Sequence, residues 1–266
     1  MRLVTFNVLH GASPVDGVVD LDRFAAVVAS LDPDVLALQE VDRGNERSHA
    51  ADLADVAARA MGAASSRFCA AMTIDTDGRW HPAPRTPAPD MTAYGVALVS
   101  RHPVTAWREL RLPLIRPRFP VVRREPRRLE LRREEHRTAV LAEVATPEGP
   151  LLVASAHLSF VPGWSQLQLL ALRRAMAATP GPALIMGDLN MTPPPARRVS
   201  GFRPLATALT FPVDEPVRQI DHVLARGDVG DVVGTASLRL PVSDHRALVV
   251  DLDRRRLGRA PGRAPG

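Results

Sequence analysis

Acidic, amide and imidazole residues recur where apolar runs end along this 266-residue chain. The clearest run spans Leu184 to Met186, breaks at Gly187 and then presents Asp188 and Asn190. An apolar run bounded by turn-forming residues is typical of a buried strand, and the glycine lets a ligand or a second backbone approach closely. The stretch therefore predicts a strand that delivers a carboxylate and a carboxamide to a site.

A second buried strand is predicted from Asp34 to Asp42, with Glu40 at the point where its apolar run ends. Carboxylate oxygens suit Mg²⁺, which uses one or two protein carboxylates together with water and substrate phosphate. Glu40 is therefore the first candidate for a hard-cation ligand. Asn7 ends a short apolar run that begins at Leu3, and it is either a neutral ligand of the same ion or a turn-forming asparagine.

Three later segments add polar residues at the ends of, or inside, predicted strands. His157 follows an apolar run, and Asp221 interrupts another one. A buried carboxylate needs a partner, and a histidine is the natural one for Asp221. Asp244 and His245 stand at the head of the last predicted strand and offer a ligand and an acid–base group. These are the parts that a metal-dependent phosphoester hydrolase needs.

The elements between these strands are predicted from periodicity and punctuation. Apolar residues at one-face spacing indicate a helix that Asp20 caps, a helix from Asp52 to Met61 and a helix from Ser165 to Met176. Proline predicts a long irregular loop from His81 to Pro89 and a loop-rich passage from Thr192 to Pro212. The helices are packing elements, whereas the first loop is either a lid or a mobile insertion.

Length and composition predict one large domain, since 45% of the residues are hydrophobic. We assign this domain to residues 1–253 and expect the Arg/Pro/Gly-rich residues 254–266 to be disordered. Cys69, the only cysteine, is expected to be an inert core thiol. The first seven residues do not resemble a signal peptide, and no apolar run reaches transmembrane length. We therefore expect a soluble, cytoplasmic monomer.

All 34 basic residues are arginine, and the net charge is +5. This excess favours an anionic partner, but a compositional bias of the genome would produce it as well. Arginine is densest between Arg116 and Arg137, where glutamates are interleaved. Mixed charge of this kind usually marks a solvated face, and nucleic-acid readers often add aromatic platforms, of which only Phe119 is present here. The solvated face is the favoured interpretation, with nucleic-acid binding as its alternative.

The polar strand ends resemble the motifs of the endonuclease/exonuclease/phosphatase superfamily, which is also called the DNase I-like fold. Any one of these motifs often matches by chance. A chance match of all six, in the order in which they occur in the family, is improbable. The resemblance covers about Leu3 to Leu252 and rests on Thr5-Phe6-Asn7-Val8, Leu38-Gln39-Glu40-Val41, Ala156-His157-Leu158, Gly187-Asp188-Leu189-Asn190, Ile220-Asp221-His222-Val223-Leu224 and Ser243-Asp244-His245-Arg246.

The resemblance implies an α+β fold: a four-layer αββα sandwich of two mostly antiparallel sheets, with the site at one rim. It also implies a role for each matching position. Glu40 would be the main ligand of Mg²⁺ or Mn²⁺, with Asn7 and Asp244 nearby as further ligands. The ion would offset charge on the phosphoryl oxygens and orient the phosphate.

The remaining positions would move protons and stabilise charge. Asp188, held by Asn190, would orient and deprotonate the attacking water. Asp221 would fix the tautomer of His245, which stabilises the transition state, and His157 would donate to a phosphate oxygen or the leaving group. Whether Asp188 or His245 is the general base stays open at this point, as does the choice between one metal ion and two.

The implied activity is that of a phosphodiesterase or nuclease-type enzyme that uses a metal-positioned phosphate and an activated water. A phosphomonoesterase or phospholipase-like enzyme on lipid or sugar phosphates is the alternative within hydrolases. A non-catalytic anion-binding protein is the alternative from another class, and it would be expected to show degraded catalytic positions. The substrate is left open, because a fold does not fix it.

Overall fold

A computed structural model of the chain places two β-sheets face to face, each covered on its outer side by two helices. The structure describes residues 1–75, 77–88, 90–114, 118–124, 127–132 and 134–254. The helices are α1 (Leu21–Leu31), α2 (Leu53–Met61), α3 (Trp164–Ala177) and α4 (Pro193–Ser200). The strands are β1 (Arg2–Asn7), β2 (Val35–Arg43), β3 (Ser65–Ile74), β4 (Trp80–Pro82), β5 (Ala93–Ser100), β6 (Val104–Arg111), β7 (Phe119–Arg124), β8 (Arg127–Arg132), β9 (Thr138–Thr146), β10 (Gly149–His157), β11 (Ala183–Asp188), β12 (Arg203–Pro204), β13 (Asp221–Arg226), β14 (Asp231–Leu238) and β15 (Ala247–Asp253).

The strand order of each sheet brings distant parts of the chain together. The seven-stranded sheet has the order β14-β15-β1-β2-β5-β3-β4, and the six-stranded sheet has the order β12-β13-β11-β10-β9-β6. Among the described strands, β1 with β2 and β10 with β11 are the parallel neighbours, and the other pairs run antiparallel. Strands β7 and β8 form a separate hairpin. The predicted αββα sandwich of two mostly antiparallel sheets is confirmed.

The core lies in three layers between and outside the sheets. In β2, Val35 and Ala37 join the layer between the two sheets, whereas Leu36 and Leu38 join the layer under α1 and α2. A third layer lies between the six-stranded sheet and helices α3 and α4. Because the central strands are buried on both faces, they read as continuous apolar runs rather than as alternating ones. This is why their ends could be recognised in the sequence.

Most predicted helix ends are found where the sequence places them. The Asp20 carboxylate accepts from the backbone N–H groups of Asp22 and Arg23, both at 3.0 Å, and so caps α1. The prediction of a loop-rich passage after Thr192 is wrong in its first part, since α4 begins at Pro193. Proline is well tolerated in the first helical turn, where its missing N–H would have had no partner. Three consecutive prolines therefore concealed a helix start.

The sequence predicts a solvated face from Arg116 to Arg137. The backbone of this segment forms the β7–β8 hairpin, but Glu134 and Arg137 at its end are buried, so the prediction is wrong there. Residues 116, 117, 125, 126 and 133 of this segment lie outside the described residues.

Two other predictions concern proline-rich segments. In the predicted loop from His81 to Pro89, the first two residues belong to β4 and Ala83 is buried, while residue 89 is outside the description. In the predicted disordered tail, Arg254 is buried and forms an ion pair with Glu148, and residues 255–266 are not described. Within the described parts of the chain, no helix is long and apolar enough to cross a membrane.

Candidate active site

The polar residues predicted at strand ends meet at one rim of the sandwich. In the six-stranded sheet, His157 of β10 lies beside Asp188 of β11, and Asp188 lies opposite Asp221 of β13. In the seven-stranded sheet, Asn7 of β1 lies beside Gln39 of β2. The Asn7 amide nitrogen is 3.2 Å from Asp188 Oδ2, so the two sheets contribute to the same site.

Asp188 is the centre of this group. Its Oδ2 atom lies 3.5 Å from His157 Nε2 and 3.8 Å from His245 Nε2. Its Oδ1 atom accepts from the backbone N–H of Asn190 at 3.0 Å, and the Asn190 side chain donates to the Leu158 carbonyl at 3.0 Å. Asn190 thus holds one oxygen of Asp188 through its backbone and ties this turn to the end of β10.

Gly187 allows β11 to approach β10 closely just before Asp188. A Cβ atom at this position would lie 1.9 Å from the Ala156 carbonyl oxygen, and the φ angle of Gly187 is +147°. Both conditions exclude a side chain, because such a contact is a clash and such a φ is rare for other residues. The glycine predicted to permit a close approach therefore does so toward the neighbouring strand.

Glu40 is directed into the site by an irregularity in β2. The pairing of β2 with β5 shifts between Gln39 and Val41, and Glu40 has a φ of 56°. A bulge of this kind redirects a side chain and is frequent beside active sites. The Asn7 amide donates to Glu40 Oε1 at 3.0 Å, so one amide nitrogen links the carboxylates of Glu40 and Asp188.

His245 is oriented by Asp221 from the other side. Nδ1 of His245 lies 3.0 Å from Asp221 Oδ2, and both side chains are buried. The ring of Phe211 packs against the imidazole with 4.7 Å between centroids. The sequence predicted a histidine partner for Asp221, and the structure brings His245 to it, while His222 next to Asp221 instead contacts the Met191 carbonyl.

Asp244 is the predicted site residue that stands apart. It is half-buried and makes no hydrogen bond or ion pair with another described residue. Its neighbour Ser243 donates to the Asn7 carbonyl at 2.6 Å, which places the turn beside the end of β1. Asp244 therefore lies next to the site, but the structure does not join it directly to Glu40.

Burial and charge shift the pKa values at the centre of the site. Burial and the Asp221 carboxylate raise the pKa of Asp188 to about 7. Burial alone would lower the pKa of His245, but Asp221, Asp188 and Asp244 raise it to about 9. The pKa of His157 is well below its usual value, because the ring is buried and lies near the cations Arg137 and His245. At neutral pH the site thus holds one charged and one neutral imidazole.

Arg137 is a site residue that the sequence did not single out. It is buried, and Nε lies 3.3 Å from Glu134 Oε1 while Nη2 lies 3.5 Å from Glu135. Glu134 is itself held by the Ser159 hydroxyl at 2.9 Å. Arg137 comes immediately before β9, and a polar residue at the end of a strand is the signal that could have identified it. The many arginines around it in the sequence obscured that signal.

Two neighbouring cavities open at this rim. The first, which we call the catalytic cavity, has a volume of about 310 Å³ and is lined by residues that include His157, Asp188, His245, Arg137 and Phe211. The second, which we call the side cavity, has a volume of about 330 Å³ and is lined by residues that include Arg47, Trp80 and Met72. Glu40, Tyr94 and Glu135 line both. Tyr94 is half-buried and borders the site.

The charge and donor set of the catalytic cavity fit a divalent cation. The carboxylate oxygens of Glu40 and Asp188 both lie beside the Asn7 amide. Carboxylate oxygens are the ligands that hard cations prefer. Burial, with the nearby Asp221 carboxylate, raises the pKa of Asp188, so a cation bound beside Asp188 would favour its charged form. Asp188, Asp221 and His245 also have ligand atoms within 4.8 Å of one another, although Asp221 and His245 already bind each other.

Comparison with known proteins shows which family the chain belongs to. A model of the Endonuclease/Exonuclease/phosphatase family matches residues 4–245. The chain belongs to this family. Its members hydrolyse phosphoesters, and the family generally uses divalent metals. No curated protein matches the sequence closely.

Several solved structures share the fold of this chain. An endonuclease/exonuclease/phosphatase from Beutenbergia cavernae is 23% identical with a TM-score of 0.64, and the match covers 95% of this chain and 71% of that one. Sphingomyelinase C from Streptomyces griseocarneus is 14% identical with a TM-score of 0.61, covering 95% and 99%. A mannosyl-6-phosphatase from Bacteroides thetaiotaomicron is 14% identical with a TM-score of 0.60, covering 95% and 99%.

Proposed function

We propose that the protein is a Mg²⁺- or Mn²⁺-dependent phosphodiesterase in which Asp188 activates the attacking water. The observation that carries the proposal is the position of Asp188 Oδ2, which lies 3.5 Å from His157 Nε2 and 3.8 Å from His245 Nε2. A carboxylate between two imidazoles can orient a water molecule and accept its proton while the rings stabilise the phosphoryl group.

Glu40 would hold the metal ion, with Asn7 and Asp244 as the further ligands. The bulge at Glu40 supports the first. Asn7 lies beside Glu40, since its amide nitrogen is 3.0 Å from Oε1, and its Oδ1 atom would be the ligand, while the position of Asp244 beside Ser243 supports the third only through the backbone. When bound, such an ion offsets charge on the phosphoryl oxygens and positions the phosphate.

His245 and His157 would serve different purposes. Asp221 accepts from Nδ1 of His245, so Nε2 is directed at the reacting group and its positive charge is retained. His157 and the buried Arg137 line the same cavity and would contact a phosphate oxygen or the leaving group. We assign the general base to Asp188 rather than to His245, because a histidine between carboxylates is better suited to donate.

The paired cavities favour a diester over a monoester. They meet at Glu40, so a phosphate beside Glu40 would have space for an organic group on each side. The sphingomyelinase and the mannosyl-6-phosphatase among the structural neighbours act on a diester and a monoester respectively. The fold alone therefore permits both, and the second cavity supports the diester.

Hydrolysis of bis-p-nitrophenyl phosphate and of p-nitrophenyl phosphate, each with Mg²⁺ and with EDTA, tests the proposal. We expect metal-dependent turnover with a higher kcat/KM for the diester. Glu40→Gln should slow turnover strongly or raise the Mg²⁺ concentration that it requires, whereas exchange of an exposed carboxylate beyond the opposite end of β13, Asp228→Asn, should affect neither. Undiminished turnover in EDTA would refute the metal dependence, and a preference for the monoester would support the phosphomonoesterase alternative.

A further inference from the structure

The side cavity contains an arginine that is fixed in place by a buried carboxylate. Asp42 is fully buried, and Arg47 meets it with two parallel contacts, Nε to Oδ2 at 2.7 Å and Nη2 to Oδ1 at 2.7 Å. The Ser48 hydroxyl donates to the same carboxylate at 3.1 Å. Bidentate pairs of this kind fix the guanidinium plane. Among the described residues Arg47 Nη1 has no hydrogen-bond partner, so one donor remains for a ligand.

Two aromatic rings flank this arginine. Trp80 and Tyr94 pack edge to face, with 6.0 Å between their centroids and 69° between their planes. The Arg47 guanidinium lies 5.6 Å from each ring centroid. Trp80 is 39% exposed in a short edge strand, which leaves part of a large flat surface open to the cavity.

The chemistry of these walls excludes some ligands and favours others. A quaternary ammonium group would need the aromatic faces for a cation–π contact, but Arg47 already occupies that position and would repel it. A polyol could hydrogen-bond to His10, Glu40 and Glu135, but it would leave the exposed face of Trp80 and the apolar side chains of Leu9 and Met72 without a matching apolar group. A flat ring with acceptor atoms at its edge satisfies both walls, because it can stack on Trp80 and accept from Arg47.

We propose that the side cavity binds the nucleobase of a nucleoside phosphoester whose phosphate lies beside Glu40 in the catalytic cavity. Base stacking on aromatic residues combined with arginine is a recurring mode of nucleotide binding. The volume of about 330 Å³ is at the lower end of ligand pockets, which span roughly 300–1,000 Å³. It therefore suits one base rather than a base pair, as in a small nucleotide or a single-stranded end. This inference rests on the proposed function for the position of the phosphate.

Equilibrium binding of unreactive analogues tests the base subsite without turnover. The probes are phosphonates of adenosine and of ribose in which a methylene group replaces the bridging 5′ oxygen, titrated by calorimetry in the presence of Mg²⁺. We expect the adenosine analogue to bind about tenfold more tightly, in keeping with base–aromatic stacking. Trp80→Ala should bring the ratio close to one, and Trp80→Phe should retain most of it.

Trp164→Ala is the matched control, since this half-buried tryptophan at the start of α3 is not among the residues that line the side cavity. It should leave the ratio unchanged. Equal affinity for the two analogues in the wild-type protein, or an unchanged ratio in Trp80→Ala, would overturn the inference. So would tighter binding of the corresponding choline phosphonate.

The outcomes separate this inference from the proposed function. A base preference in a protein that hydrolyses no phosphodiester would overturn the proposed activity and leave the subsite intact. Phosphodiester hydrolysis without a base preference would overturn the subsite alone.

Discussion

Asp221 and His245 form a buried pair in which Oδ2 of the carboxylate lies 3.0 Å from Nδ1 of the imidazole. The opposite nitrogen, Nε2, lies 3.8 Å from the carboxylate of Asp188. A carboxylate that accepts from Nδ1–H fixes both the tautomer and the ring orientation. In the proposed mechanism Asp221 would therefore act on the reaction through His245, without a contact of its own with the substrate.

Asp221→Asn should lower kcat by about 10²- to 10⁴-fold, the usual range for a disrupted acid–base group, with a much smaller change in KM. It should also lower the pKa of His245 from about 9, because the Asp221 charge and hydrogen bond sustain it. Steady-state kinetics and an NMR titration of the imidazole measure the two effects. A variant with normal kcat and an unchanged His245 pKa would contradict the role given to Asp221.

The metal-free protein should lose stability as pH rises through the titration of Asp188. The pKa of Asp188 is raised from 3.8 to about 7, so the folded state favours the protonated carboxyl. The stabilising contribution is complete below about pH 4 and is lost as the pH approaches 7. Asp188→Asn resembles the protonated form and should reduce this loss, as measured by urea unfolding in EDTA.

His245 provides an internal comparison, since its pKa is raised from 6.5 to about 9. Its contribution is complete below pH 6.5 and is lost as the pH rises through 9, so part of the decline should persist in Asp188→Asn. Identical pH profiles for the wild type and Asp188→Asn between pH 4 and 7 would show that burial does not perturb Asp188.

Gly187→Ala should destabilise the fold by about 3 kcal/mol or more, since it combines a clash with a strained backbone. The new Cβ would lie 1.9 Å from the Ala156 carbonyl oxygen. Gly181→Ala is the control, because Gly181 has a positive φ of 97° but no atom within 4 Å of the added group. Urea unfolding of both variants would contradict the account if the two losses were equal.

Arg137→Lys should lower kcat/KM by about tenfold or more, since lysine cannot reproduce the fork that two glutamates hold. Arg137 is buried against Glu134 and Glu135 and lines the catalytic cavity. Arg254→Lys, another buried arginine that forms an ion pair far along the chain, is the control and should affect stability but not kcat/KM. Equal kinetics for Arg137→Lys and the wild type would exclude contact between Arg137 and the phosphate.

The ends of the central strands could be located in the sequence for a physical reason. Central strands buried on both faces are uniformly apolar, so residues such as His157 and Asp188 stand out as soon as the burial stops. The αββα architecture is confirmed, and Asn7, Glu40 and His245 lie close to Asp188, while their roles in the site stay predictions. Asp244 helps to raise the pKa of His245 but makes no hydrogen bond or ion pair with a described residue, and its role as a ligand stays a prediction.

Other features depend on contacts that no local pattern encodes. Arg137 can be recognised as a buried site residue only from its contact with the buried Glu134, because its charged neighbours in the sequence indicate a solvated face. Trp80 becomes part of a cavity only when its edge strand pairs with β3 and brings it to Tyr94. The prolines that begin α4 are compatible with either a loop or a first helical turn. In each case the deciding interaction is tertiary.

The most direct test of the central claim is the rate of bis-p-nitrophenyl phosphate hydrolysis as Mg²⁺ is titrated into the EDTA-treated wild type and Glu40→Gln. We expect no turnover without the ion and a saturable restoration of turnover in the wild type. Glu40→Gln should be slower by about 10²-fold or require far more Mg²⁺, because a neutral amide is a weaker ligand of a hard cation. Turnover that is independent of Mg²⁺, or a Glu40→Gln titration that overlays the wild type, would contradict it.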